Sequence, residues 1–367
     1  MKLVIFGLAI SSSWGNGHAA LWRALCDALI RRGHRIVFFE RDVPYYAAHR
    51  DLSELPGGDL VLYPDWPAVL ESARAQVRDA DAAMVTSYCP DALEAAALLR
   101  ELAPPLAVFY DLDTPVTLDR LARGEPVAYV GPRGLADYDL VLSYTGGTAL
   151  DQLRERLGAR RVLPLYGSVD PALHRPVAPV ERYRADLSYI GTYAEDRQAA
   201  LEALLVEPAR RRPARRFVIA GAQYPQDFPW TDNIYFVRHL PPGEHAAFYS
   251  SSRLTLNVTR AAMAAMGYCP SGRLFEAAAC GAALLSDWWT GLDDFFAPGR
   301  EILLAGTPEE AIAALELSDA ELAAIGRAAR ERALGEHTAD RRADALEAAL
   351  SAAFRAAPEP TQPRLEA

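Results

Sequence analysis

Twice along the chain the same alternation appears: a short apolar run with the length of a buried strand, a turn rich in Gly or Asp, and an amphipathic helix. This pattern narrows the fold, because parallel strands need long crossovers and both faces of their sheet covered by helices. The first series predicts strands over 2–8, 35–40, 59–63, 82–86, 106–110 and 139–143, with helices over 19–32, 67–78, 90–102 and 148–157 between them. A second series restarts at 186–190 and continues through 217–220, 234–237, 253–257 and 282–285, with a last strand beyond 301. Between the two, residues 165–179 read LYGSVDPALHRPVAP, a Gly, Pro and Ser composition that suits a hinge; Asp170 and His174 within it read as structural. The expectation is an α/β chain of two Rossmann-like domains, 1–165 and 181–336, joined by a linker over 166–180. A last helix is expected over 337–355, and 356–367, with three prolines, reads as a disordered tail.

Composition removes several function classes. A net charge of -10 gives no support for a nucleic-acid partner at the level of the whole chain. Lys2 is the only lysine, so the abundance of arginine reads as a compositional habit and not as a design for phosphate. Cys26, Cys89, Cys269 and Cys280 are scattered without C-x-x-C spacing, which indicates neither a zinc site nor a disulfide framework. No stretch of about 18 apolar residues spans a bilayer, and the N-terminal MKLVIFGLAI reads as a buried first strand ahead of a Gly-rich turn. A cytoplasmic protein with reduced thiols is the expectation.

Chemistry concentrates in 267–291, GYCPSGRLFEAAACGAALLSDWWTG. Ser271 suits an N-cap, Leu274, Phe275 and Ala278 give a short apolar-faced helix, and Gly281 stops it before a buried strand. Arg273 falls in the first turn, where free N–H groups, the helix dipole and a planar guanidinium all favour phosphate. Glu276, one turn deeper, can accept two hydrogen bonds from a vicinal diol such as a ribose. An Arg–Glu pair at i, i+3 on a solvated helix is the plainer alternative, and spacing leaves both open. Gly191 and Thr192, followed by a helix beginning near Glu195, make a second anion-friendly turn that Arg197 could assist. Asn257, Thr259 and Arg260 leave their strand toward the same edge, and Trp288 and Trp289 could either stack on a ligand or pack between domains.

On the first series, the loop after the first strand reads SWGNGH. Gly15, Asn16 and Gly17 allow close backbone approach to a ligand, and His18 opens the next helix at the crevice edge. The loop lacks G-x-G-x-x-G, and only Glu40 could serve as an acidic ribose partner, so NAD is poorly supported. His34 reads as serving the turn at the end of the first helix. Asp111 and Asp113 follow the fifth strand with D-x-D spacing, which could hold Mg²⁺ or Mn²⁺, although Asp113 before Thr-Pro could equally cap a helix. Tyr45, Tyr46 and His49 in 41–51 suggest a surface for carbohydrate stacking.

The string RLFEAAACG before a buried strand, with SWGNGHAALWRAL, FYDLDTPVTL, LSYTGGTAL, LYGSVDP and DLSYIGTYAEDR, resembles GT-B glycosyltransferases, and in particular the CgeB-like (spore maturation protein) branch with group 1-type C-terminal domains. That resemblance implies two Rossmann-like domains facing a central cleft, with a nucleotide-diphosphate sugar held by the second domain, an unidentified acceptor against the first, and a final helix, 337–355, that crosses back to the first domain. It implies Arg260 and Arg273 at the diphosphate, Glu276 on the ribose, no bound metal, and no cofactor beyond the donor. The loop of Gly15, Asn16, Gly17 and His18 then lies on the acceptor side with Trp288, and His18 is a candidate base with Asp111 or Asp113 as its partner or substitute. One departure matters. Retaining members carry E-x7-E, and the position of the first glutamate is Tyr268 here. A nucleotide-sugar epimerase, or a non-catalytic nucleotide-sugar-binding protein, therefore stays open beside glycosyl transfer.

Overall fold

The computed structural model describes residues 1–14 and 17–356. Gly15, Asn16 and the 357–367 part of the expected tail lie outside the described residues, and Ala356 ends the last helix. The first sheet contains β1 (Lys2–Phe6), β2 (Arg35–Arg41), β3 (Asp59–Tyr63), β4 (Ala82–Thr86), β5 (Ala107–Asp111), β6 (Leu140–Ser143) and β7 (Val162–Pro164). Its order is β3-β2-β1-β4-β5-β6-β7, parallel throughout, with Val4 opposite both Val37 and Ala83. The second contains β8 (Ala185–Ile190), β9 (Phe217–Gly221), β10 (Ile234–Arg238), β11 (Ser252–Asn257), β12 (Ala283–Ser286) and β13 (Leu303–Leu304), in the order β10-β9-β8-β11-β12-β13. In each sheet the strand order reverses once, between β1 and β4 and between β8 and β11, and such switch points open crevices at the strands' C-terminal ends.

The apolar runs are explained by burial on both faces. Along β1, Leu3 and Ile5 enter one core layer while Val4 and Phe6 enter the other, so no position is left for a polar residue. β7 is absent from the six strands expected of the first series. It is three residues long, ends at Pro164 and sits at the sheet's edge, where a missing N–H breaks no ladder.

Helix Ala339–Ala356 follows the second sheet yet buries Ala343, Leu346, Leu350 and Ala353 in the core of the first, among Leu21, Leu25 and Leu29. Each buried leucine there is worth about 1.5–3 kcal/mol relative to exposure. Arg32 reaches Asp344 at 2.6 Å and Glu347 at 2.9 Å, and His34 meets Glu347 at 2.7 Å. His34 thus ties this returning helix to the first domain, a role beyond the local turn expected of it.

The domains also meet at the cleft. The Gly146 N–H donates to the Tyr268 carbonyl at 2.9 Å, the Tyr144 hydroxyl to the Pro270 carbonyl at 3.1 Å, and the Thr145 hydroxyl to Cys269 Sγ at 3.2 Å. Gly147 has φ 56°, and a Cβ there would stand 2.6 Å from the Tyr268 ring. Only glycine meets both conditions.

Candidate functional site

Helix Gly272–Ala279 buries Leu274, Phe275 and Ala277–Ala279, leaving Arg273 and Glu276 on another face. Ser271 has extended backbone at the N-cap position but makes no side-chain cap bond, so the expected cap is replaced by backbone geometry alone. Glu276 is not a solvated partner of Arg273. Its side chain is 20% exposed, and the Tyr249 hydroxyl, His245 Nδ1 and His174 Nε2 lie 3.4, 3.5 and 4.0 Å from Oε2. Burial works against its charge, yet the hydrogen bond from His245 and the fields of His174, His245 and Arg273 prevail and hold its carboxyl at about 2. The carboxylate is therefore ionised and acceptor-only at neutral pH. Arg273 forms no ion pair among the described residues, and its guanidinium lies 5.7 Å from the centre of the Tyr189 ring.

Two further arginines approach Arg273. Arg197 is buried, gives one N–H to the Thr192 carbonyl at 2.6 Å, and has a buried Nε without a partner. Burial lowers its pKa, and the fields of Arg273 and Arg260 add to the effect. Arg260 is half-exposed and 3.2 Å from Asp196. Gly191 fits where a Cβ would stand 2.7 Å from the Tyr189 hydroxyl, and its N–H is spent on the Ala220 carbonyl at 2.9 Å. Helix Glu195–Leu201 does not supply the anion-friendly terminus expected after Thr192, because Glu195 and Asp196 fill its first turn. The positive field comes from arginine side chains instead.

The remaining predicted groups on this side divide by burial. Asn257 donates to Ser286 at 3.0 Å and Thr259 at 3.2 Å, and Asp287 accepts from the Thr259 N–H and hydroxyl, both at 3.0 Å, so of that stretch Arg260 is the group left facing outward. Trp289 is buried against Phe295 within the second domain, whereas Trp288 is exposed.

Across the cleft, Asp113 accepts from the Tyr88 hydroxyl at 2.9 Å. Burial raises its pKa, with Tyr88 and the fields of His18 and Arg260 opposing. Arg260 belongs to the second domain, so groups assigned to opposite sides of the cleft act on one another. Burial lowers the His18 pKa and Asp113 partly offsets it, so burial favours the neutral imidazole. Asp111 is different. It is fully buried, accepts from the Asp113 N–H and the Thr117 hydroxyl at 3.1 Å each, and leaves Oδ2 without a partner; burial pushes its pKa to about 6. Asp111 thus underlies Asp113 and does not face the cleft beside it, so the two carboxylates do not open together toward a cation.

Gly17 begins the helix after the first loop in open space. That loop is held by Glu40, which accepts from the Ile10 N–H at 2.7 Å, the Ser11 N–H at 3.0 Å and the Ser11 hydroxyl at 2.6 Å. Glu40 is buried as a strut of this loop and is not presented to a dinucleotide ribose. Trp14 bridges the domains, with ring centroids 4.5 Å from His49 and 3.6 Å from His239. Sequence reasoning gave no role to Tyr88, His245 or Tyr249 and read His174 as structural; they reach the site through tertiary packing. Among the described residues, the metal-capable group that converges is His174, His245 and Glu276, with donor atoms within 4.8 Å of one another.

Two doubly wound parallel sheets facing a shared cleft, with a C-terminal helix returning to the first domain, define the GT-B glycosyltransferase fold. The chain matches sucrose-phosphate synthase from Thermosynechococcus elongatus with a TM-score of 0.68 at 14% identity, covering 97% of this chain and 99% of that one. It matches Anabaena HepE in complex with UDP and glucose with a TM-score of 0.66 at 13% identity, over 96% and 100% of the two chains. It also matches an alpha-glucosyltransferase in complex with UDP-glucose and DNA containing an abasic site, with a TM-score of 0.65 at 12% identity over 95% and 98%. Residues 197–348 match the family described as Glycosyl transferase-like, a span that opens on Arg197 and includes Arg260, Arg273 and Glu276. No curated protein matches the chain by sequence. The protein therefore has the GT-B fold, and its second half carries a glycosyl transferase-like domain.

Proposed function

We propose that this protein is a glycosyltransferase of the CgeB-like branch that moves a sugar from a nucleotide-diphosphate sugar, with UDP-sugars the leading donors, to an acceptor hydroxyl bound against the first domain. The observation that carries the reading is that Arg197, Arg260 and Arg273 act on one another, with the ionised carboxylate of Glu276 one turn from Arg273 on the same helix. Like charges gathered in a partly dry site repel, and a diphosphate relieves that repulsion. UDP is favoured as the nucleotide because two of the fold's solved relatives hold UDP or UDP-glucose.

In this reaction the arginines stabilise the charge growing on the leaving diphosphate, the task a metal performs elsewhere, so chemistry proceeds without a catalytic cation. Glu276 accepts hydrogen bonds from the ribose hydroxyls. The acceptor oxygen attacks the anomeric carbon, the bond from that carbon to the diphosphate oxygen breaks, and the acceptor's proton passes to neutral His18, whose imidazolium Asp113 stabilises. A second reading, donor binding without transfer, draws on Tyr268 in place of the first glutamate.

Calorimetric titration with UDP, GDP, dTDP, ADP and CMP, then incubation of the matching nucleotide sugar with an acceptor panel, tests the proposal. Selective binding that weakens in Arg273→Ala, followed by nucleotide release coupled to a glycosylated product, is the expected result. Binding with neither release nor product leaves the binder reading standing, and no nucleotide binding refutes both.

A further inference from the structure

Three side chains from separated stretches meet behind the proposed donor groove. His174 comes from the segment between the sheets, His245 opens helix His245–Ser250, and Glu276 comes from helix Gly272–Ala279. Hydrogen bonding accounts for the arrangement only in part. His174 is 8% exposed, its Nδ1 is buried without a partner, and its Nε2 stops 4.0 Å from the carboxylate, beyond hydrogen-bond reach. His245 Nδ1 stands at 3.5 Å from the same oxygen, the outer limit of such a bond. A buried imidazole left in this state has lost water and gained nothing equivalent.

We infer that His174, His245 and Glu276 form a binding site for a divalent transition-metal ion, with zinc as the cation the donor set selects. Two imidazole nitrogens and one carboxylate oxygen suit zinc and leave a fourth position open. Tetrahedral ligands at about 2.0–2.1 Å from zinc stand roughly 3.4 Å apart. The His245 separation already meets that spacing, and His174 meets it by turning inward. The Tyr249 hydroxyl, 3.4 Å from Oε2, is placed to orient the carboxylate, as groups behind metal ligands do.

The site lies at the carboxylate assigned above to the ribose, one helical turn from Arg273. Zinc there is not the catalytic cation of the proposed reaction. It occupies the acceptor oxygen that the nucleotide needs, so zinc and donor exclude each other; this clause rests on the ribose reading. A bound ion also fastens the interdomain segment to the second domain through His174.

The test uses the full-length chain stripped with a chelator. Titration with Co²⁺, read by its visible ligand-field absorption, is expected to reach one ion per chain with a tetrahedral band that Zn²⁺ bleaches. His174→Ala and His174→Gln, each checked for native circular dichroism, and His245→Ala are expected to weaken cobalt binding about tenfold or more. Absence of the band, or equal affinity in the variants, overturns the metal site, while UDP titration of the same metal-free protein reports on the nucleotide reading separately. UDP added to the cobalt-loaded protein is expected to abolish the band. Retention of the band with UDP bound upholds the cation site and overturns the exclusion and the ribose role of Glu276.

Discussion

Asp111 carries a charge that the fold opposes, and its replacement by asparagine turns this into a measurable pH dependence. Its pKa rises from the ordinary 3.8 to about 6 because the side chain is fully buried, with the bonds from Asp113 and Thr117 too weak to offset burial. A carboxyl with a raised folded pKa favours the folded state while protonated and loses that contribution as pH climbs from the unfolded value to the folded one. At about 1.4 kcal/mol per pKa unit, full ionisation near pH 7.5 costs the fold about 3 kcal/mol. Near pH 4 almost none of this is felt. Asp111→Asn removes the titration and keeps an acceptor for the Asp113 N–H and the Thr117 hydroxyl. It also places an amide where Oδ2 has no partner, a penalty of about 1–3 kcal/mol that does not change with pH. The difference between the two pH values is therefore the clean quantity. Urea unfolding of both proteins at about pH 4 and about pH 7.5 should show the variant gaining roughly 2–3 kcal/mol on the wild type between them. A variant-minus-wild-type difference that is the same at both pH values would refute the buried ionisable carboxyl.

Three further perturbations bear on the cleft. Glu276→Gln keeps shape and removes charge, and it should weaken UDP binding by about 1.5–3 kcal/mol by calorimetry; unchanged affinity in a folded variant removes the ribose role. His18→Ala should leave donor affinity unchanged and lower turnover by about 100-fold or more. Because burial holds the His18 pKa below its ordinary 6.5, the wild-type rate should fall only below that pH. Asp113→Asn should move this acid limb lower still, since Asp113 opposes the shift; a limb above 6.5 contradicts the assignment. Gly147→Ala forces a Cβ to 2.6 Å from the Tyr268 ring at φ 56°, so it should cost on the order of 1–3 kcal/mol, and an unaltered melting temperature would show that the interdomain contact gives way freely.

The sheets were legible because their central strands are buried on both faces, so each appears as an apolar run between turns without the need to know its neighbours. β7 escaped because an edge strand of three residues ending in proline carries no such signal. The donor side was partly legible for a related reason: Arg273 and Glu276 are three residues apart on one helix, and their relation is fixed locally. His174 and His245 were not legible, because what brings them to Glu276 is the path of the interdomain segment and the packing of another helix. Asp111 and Asp113 show the limit of spacing as an argument. Their adjacency suggested a pair, but a strand's final residue points into the core while the turn beyond it faces the cleft, so two carboxylates two residues apart acquire different environments and different chemistry.

Tyr268 marks where the chain departs from the E-x7-E pattern, and its surroundings give the departure a physical content. Its backbone has φ 47°, its carbonyl accepts from Gly146 of the first domain, and Gly147 and Gly291 each lack the Cβ that would strike its ring. Two glycines, one from each domain, make room for one ring, so this position serves as a joint between the domains. A glutamate there would bring a charge into a contact built from glycine and aromatic surface, with the desolvation cost that implies. If the proposed transfer needs a carboxylate near the sugar, the assignment made above offers those of the first domain, Asp111 and Asp113. Of these Asp113, beside His18 and under the field of Arg260, faces the cleft, while Asp111 is sealed beneath it. The chemistry then shifts toward the acceptor side, which is why the His18 and Asp113 pH profile, and not substitution of Tyr268, is the measurement that discriminates mechanism.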